Sequence, residues 1–329
     1  MIKLSRIYTL NEWHYFKEID GSHAIRIESI GDGIECQEDS LVFIDDLKQI
    51  KGWNKPAGCL VVDQENAEWV PKGYQFVVVS GVRKVMQSFL SDIARDHSMQ
   101  LDQLSQSIVS ESAQLAQGVT IGQGSTIGDD VVLGQNVYVG RNCHLAKGVI
   151  IGANVVIEDN VCIGEGSVIK ANAVIGSRGF GFVPDQEKWL PIAHLAGVTI
   201  GERVHIGSCT TVDAGILRPT AIHSDVIIDN LCQVAHNVII GQGTAIAGCT
   251  GIAGSTHIGM RCQIGGGCGI SGHLTIASDV LIQVRSTVSS SIHRSGVYSN
   301  VLPIAKLDTW RSRLRGFIRL GHKKGVKIT

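Results

Sequence analysis

Between Ile121 and Ile175 an aliphatic residue returns at every sixth position, through Ile127, Leu133, Val139, Leu145, Ile151, Ile157, Ile163 and Ile169. A second array starts at Ile222 and continues through Ile228, Val234, Ile240, Ile246, Ile252, Ile258, Ile264, Ile270, Ile276 and Ile282 to Val288. Glycine often follows the aliphatic residue, as in Ile121-Gly122, Ile127-Gly128, Val139-Gly140 and Ile163-Gly164. A period of six suits neither an isolated amphipathic helix nor a hairpin-built sheet. It suits a solenoid in which each hexad is one short flat strand plus a bend, and three hexads close one triangular coil. The aliphatic side chain then points into the prism, and small or polar residues take the corners. Flat faces of parallel strands tend to associate side by side, and a threefold ring is the symmetric closure for a triangular prism, so a homotrimer is expected.

Two interruptions break the period. Ser177–Gly197 carries Gly-Phe-Gly, Pro184, Trp189 and Pro191, and the markers resume at Ile200, Ile206 and Val212. A slip of four residues follows through Ala214–Leu217 before Ile222. Insertions into a solenoid leave at corners as loops, which either build the binding face or pack the surface. Before the repeat, Leu41–Ile44, Gly58–Val62 and Gln75–Val79 read as short strands. Val82, Val85, Met86, Phe89, Leu90 and Ile93 mark one face of a helix. The expected division is therefore a small α/β domain over residues 1–105, a solenoid over 106–290 and a C-terminal extension over 291–329, with Gln100–Ser107 as connector. In that extension Leu307, Trp310, Leu314, Phe317 and Ile318 share a helical face among basic residues from Lys306 to Lys327, against the single acid Asp308. This helix reads either as a solvated face or as a docking surface for an acidic partner.

A chain of 329 residues accommodates two domains and a large core. Net charge of −1 gives no electrostatic case for nucleic acid. The 39 glycines are attributed to bends that need unusual φ. Aromatics at 5% suit a narrow prism. No signal peptide or bilayer-spanning run is read; a cytoplasmic location is expected from the cysteine usage. The nine cysteines form no C-x-x-C pair; Cys143, Cys162, Cys209, Cys232, Cys249, Cys262 and Cys268 are read as small buried apolar residues in a reducing compartment.

A prism packed with aliphatic side chains leaves chemistry to its outside and to clefts between prisms. His236 in Gln-Val-Ala-His-Asn lies two positions after a marker, near a bend, and imidazole is the natural general base at neutral pH. One coil further on stands Gly254, about 4.8 Å above, offering a backbone N–H to an oxyanion. His273 lies two coils and one residue beyond His236 and shares its groove. No histidine pair suited to an intersubunit metal occurs, so no metal is expected.

The segment Ile227–Gly241, with Asp229-Asn230 and Ala235-His236-Asn237, resembles the active-site stretch of the UDP-3-O-acylglucosamine N-acyltransferases of lipid A assembly. Gly179-Phe180-Gly181-Phe182, Ile206–Asp213, Ala253-Gly254-Ser255, Ser271–Leu274 and Gly296–Ser299 are similar to that family as well. The resemblance implies a mainly β fold: a left-handed parallel β-helix between a small α/β domain and a C-terminal helix. It makes His236 the base for a sugar amine attacking the thioester of an acyl carrier protein. Gly254 becomes the oxyanion donor and Asp229 the residue that orients His236. His273, Asn230 and Asn237 become substrate-binding residues, with Phe43 and Asp46 at the uridine. No cofactor is implied beyond the donor's phosphopantetheine arm. The family's Phe-x-x-Asn-Pro-x-Tyr pattern departs here to Phe43, Asp46 and Gln49, its loop acid is Arg178, and its Asp-Arg-Gly reads Asp213-Ala214-Gly215. Two alternatives stay open: an N-acyltransferase using acetyl-CoA on another nucleotide-linked amino sugar for a surface polysaccharide, and a non-catalytic scaffold.

Overall fold

The computed structural model describes residues 2–9, 26–31, 36–46, 50–51, 53–101, 105–300 and 304–321. Strand β1 (Ile2–Thr9) pairs antiparallel with β2 (Arg26–Gly31), and β3 (Ser40–Phe43), β4 (Cys59–Val62) and β5 (Phe76–Val78) continue the sheet in parallel. The last three fall where alternation placed them. The first two were not read from the sequence. A helix over Val82–Leu101 lays Phe89, Leu90 and Ile93 on this sheet.

From Ile108 onward the chain winds as a parallel β-solenoid with three faces, of ten, nine and nine strands. In the regular part Val132 pairs with Ile150 and Tyr138 with Val156, eighteen residues and one coil apart. The first insertion widens the step, so that Ile163 meets Ile200; the second makes His205 meet Ile227. Register is recovered each time because a one-residue slip would turn the aliphatic row to solvent. The solenoid continues past residue 290, since Gly296–Tyr298 adds a further parallel strand beside Val280–Ile282.

If the aliphatic marker is position 1 of each hexad, position 5 also points inward. Val131, Val137, Val149 and Val155 fill it in the early coils, and Thr210, Thr244, Thr250 and Thr256 in the later ones, all buried. Each of those hydroxyls must be paired to be tolerated there. Thr244 Oγ1 donates to Gly259 O at 2.9 Å and Thr256 Oγ1 to Ser271 O at 2.8 Å, so the threonines close the corners of the next coil.

Position 4 carries positive φ at successive corners. Asn136, Asn142, Asn154, Asn160 and Asn172 occupy it between 55° and 61°, the region asparagine tolerates best after glycine. Attributing the glycines to unusual φ therefore needs correction for those following the marker. Gly207 has ordinary φ, but a side chain there would stand 2.4 Å from the backbone of Asn230 one coil above. Close approach of the next coil, not φ, accounts for most glycines that follow the marker, with Gly176 at φ 94° the exception. The cysteines divide as well: Cys143, Cys232, Cys262 and Cys268 are buried, whereas Cys162, Cys209 and Cys249 are exposed. Cys209 and Cys249 sit at corner position 4, and Cys162 is the outward residue of its strand, so none of the three faces the core.

Both insertions pack against the N-terminal sheet. Val183, Ile192 and Leu195 from the first and Leu217 from the second share one core with Ile27, Ile30, Leu41 and Phe89. Lys84 Nζ reaches Asp185 at 2.6 Å, and Gln87 donates to Pro191 O at 3.1 Å. The C-terminal helix spans Leu307–Gly321, with Leu307, Trp310 and Ile318 exposed on its surface. Gln49 and the basic residues Lys323, Lys324 and Lys327 lie outside the described residues, as does the side chain of Phe317. Among the described residues no helix is long and apolar enough to cross a membrane.

Candidate active site

His236 occupies position 3 of its corner, half-buried, with Asn237 at the positive-φ position 4 beside it. The Asn237 amide is fixed at both ends: Nδ2 donates to Arg218 O at 2.8 Å and Oδ1 accepts from Ile216 N–H at 3.2 Å. Oδ1 therefore also faces His236 Nδ1, 3.1 Å away. Since that oxygen only accepts, Nδ1 carries the proton and Nε2 keeps its lone pair, the tautomer a base requires. Asn237 thus ties the second insertion to the imidazole. Asn237→Ala is expected to cost about 1–3 kcal/mol for the unpaired buried groups, with about 1 kcal/mol more for alanine at positive φ. Thermal melts check this, and Asn237→Gly should recover only the backbone share.

Gly254 stacks on His236: a methyl group added there would stand 2.6 Å from Nε2. Its N–H has a second property. At several other corners the position-3 amide is capped by the position-3 side chain one coil above. Arg141 N–H donates to Asp159 at 2.7 Å, Ser208 N–H to Asn230 at 2.8 Å and Met260 N–H to Ser278 at 3.0 Å. Above Gly254 stands Gly272, which has no side chain to offer. The flanking amides of Ala253 and Ser255 bond to Ile270 O and His236 O, while among the described residues none accepts from Gly254.

The structure does not bring Asp229 or Asn230 to this imidazole. They sit at the preceding corner, where Asn230 Nδ2 donates to Asp229 Oδ1 at 2.7 Å and Asn230 caps Ser208. Asp229 lines a separate open groove of about 800 Å³ over the face that carries Ile227 and Gln263. The carboxylate whose charge reaches His236 is Asp213, buried one coil below and held by Ser177 Oγ at 2.8 Å and Gln233 Nε2 at 2.9 Å. Burial raises its pKa, and the Ser177 hydrogen bond, His236 and Gln233 partly oppose that.

A second imidazole also meets the first. His194, from the returning arm of the first insertion, lies edge-on to His236 with ring centroids 5.3 Å apart. Burial, and next the neighbouring His236, push its pKa down to about 4. Gly179 and Gly181 of the Gly-Phe-Gly loop close over the pair; a side chain on Gly179 would stand 2.9 Å from His236 Cβ and 3.1 Å from His194 Nε2. Sequence reading missed His194 because it lies in an insertion with no period. Asp213 was visible only as part of a motif.

Beside this site, Phe43 and Asp45 of the N-terminal domain and Arg218, Asn237 and His273 of the prism line one cavity of about 340 Å³. His273 is stacked two coils above Asn237 and shares its backbone conformation at φ 60°. Phe43 is half-buried against Phe89, centroids 5.6 Å apart. Asp46 is exposed and is not part of the cavity wall, where Asp45 is paired with Arg83.

The bacterial transferase hexapeptide family (six repeats) matches residues 142–177. A UDP-3-O-acylglucosamine N-acyltransferase of Pseudoalteromonas translucida is 50% identical over 155 residues, covering 47% of this chain and 46% of the relative. Its counterpart in Chromohalobacter salexigens is 52% identical over 150 residues, 46% and 43% of the two chains. The matched region thus spans less than half the length of these curated relatives. The UDP-N-acetylglucosamine acyltransferase structure from Campylobacter jejuni aligns over 64% of this chain and 81% of its own, with TM-score 0.43 and 22% identity. Over residues 142–177 the chain matches the hexapeptide-repeat model of bacterial transferases, and over 150 to 155 residues it is similar to the UDP-3-O-acylglucosamine N-acyltransferases.

Proposed function

We propose that this protein is an N-acyltransferase that moves a 3-hydroxyacyl chain from acyl carrier protein to the 2-amino group of a UDP-3-O-acylglucosamine. The observation that carries the reading is an imidazole held with its lone pair on Nε2, directly under a backbone amide that no side chain caps among the described residues. In the reaction His236 Nε2 takes a proton from the sugar amine as nitrogen attacks the thioester carbonyl carbon. The oxygen gains negative charge, which the Gly254 N–H stabilises. Collapse breaks the carbon–sulfur bond, and the proton returns to the departing thiol. A thioester is already activated, so the chemistry calls on no cofactor beyond the donor's own phosphopantetheine. Asp213 replaces Asp229 as the carboxylate that favours the imidazolium formed in between.

The cavity uniting Phe43 with His273 suits a nucleotide at the N-terminal sheet and a sugar or phosphate at the prism. Ile150, Ile227 and Val297, exposed on one solenoid face, support association of three copies. The exposed cationic residues Lys306, Arg311, Arg313 and Arg315 suit an acidic carrier protein. Competition between donors tests the reading. Purified protein with UDP-3-O-acylglucosamine is expected to turn over 3-hydroxyacyl carrier protein at least about 10²-fold faster than acetyl-CoA. Turnover with acetyl-CoA alone would favour a short-chain enzyme acting on another nucleotide-linked amino sugar.

A further inference from the structure

His194 is not part of the mechanism above, yet its surroundings are as constrained as those of His236. Its Nδ1 lies 3.0 Å from Ile192 O, and a carbonyl only accepts, so Nδ1 carries the proton and Nε2 presents a lone pair. Among the described residues that nitrogen is buried with no hydrogen-bond partner. An unpaired buried acceptor is costly, and such groups persist mainly where function holds them. Nε2 of His194 and Cδ2 of His236 stand 3.1 and 3.2 Å from the position a Gly179 Cβ would take, so both border the space over Gly179, with the two rings edge-on at 79°. In an imidazolium the ring C–H groups share the positive charge, so this edge becomes a donor once His236 gains a proton. The charged groups near the pair include Asp213 from the strand one coil below and Arg178 from the insertion, and Arg141, Glu158 and Asp159, which line a cavity together with His194.

We infer that His194 is a positioning residue for His236, a neutral acceptor whose Nε2 lone pair supports the neighbouring ring while it carries the proton taken from the acyl acceptor. The downward shift of His194 keeps it uncharged at neutral pH, where a second cation would repel the first. The proton remains on His236 until it passes to the leaving sulfur, and His194 neither gains nor loses one. The insertion thus supplies an electrostatic partner in addition to a wall, and Gly179 and Gly181 are what let the rings approach.

This inference rests on His236 being the base, so its test has one readout that needs no substrate. Carbethoxylation of His236 by diethyl pyrocarbonate, followed by peptide mass spectrometry, also drives the ring through a cationic state. His194→Leu, which keeps volume but offers no acceptor, is expected to slow this labelling by about 5- to 10-fold and to lower kcat by a similar factor with KM unchanged. His194→Gln, whose amide oxygen can replace the lone pair, is expected to return both to within about twofold. Equal labelling rates in wild type and a folded His194→Leu protein would overturn the inference, as would a glutamine variant as slow as the leucine one. Labelling that responds as expected without any acyl transfer would uphold the imidazole pairing and overturn the proposed reaction instead.

Discussion

Replacing His236 with alanine is expected to lower acyl-transfer turnover by about 10²-fold or more, with the melting temperature changed by only a few degrees. The side chain stands outside the aliphatic column, so the prism does not depend on it. Its removal takes away the lone pair at Nε2 but leaves the Asn237 amide anchored to Arg218 and Ile216. Steady-state rates with saturating donor, alongside a melt, check the prediction. Full activity in the variant would remove the base from the mechanism and favour the non-catalytic scaffold.

The second large effect is expected from Gly254→Ala. Its Cβ would fall 2.6 Å from Nε2 and 2.7 Å from Cε1 of His236, so the ring must swing off Asn237 to make room. The methyl group would also fill the space in front of the uncapped amide. Both the base and the oxyanion donor are disturbed by one carbon atom, and a loss of about 10²- to 10³-fold in kcat is expected. Gly251 and Gly269 supply the control, because an added Cβ at either meets nothing within 4 Å. Gly251→Ala should leave kcat within about twofold, measured in the same assay. Equal behaviour of the 251 and 254 variants would show that the space above His236 is not used.

How much of this was legible beforehand depends on which interactions are periodic. The six-residue row of Ile, Leu and Val announces the prism because every coil repeats the same inward position. The position-5 column was harder to read, since valine, threonine, serine, cysteine and alanine alternate there without a common polarity. Only the hydrogen bonds to the next coil explain why hydroxyls are tolerated inside. The stacking of Gly254 over His236 followed from counting eighteen residues, and the structure has the two in contact. The same counting carries no information across an insertion. Asp229 is near His236 in sequence but one corner away in space, whereas His194 arrives from one insertion and Asp213 from a strand that the other insertion separates from His236.

The amino-acid sequence by itself determined the solenoid, its coil length and the corner at which an imidazole meets a glycine, because short-range periodicity and steric demand settle those features locally. The tertiary structure alone decided which tautomer that imidazole holds, which carboxylate faces it and what lies beside it. Those depend on two insertions folding back between the N-terminal sheet and the prism, where Leu217, Ile192 and Leu195 find a shared core. Long-range burial places these groups, and no local pattern of residues encodes where such a loop returns.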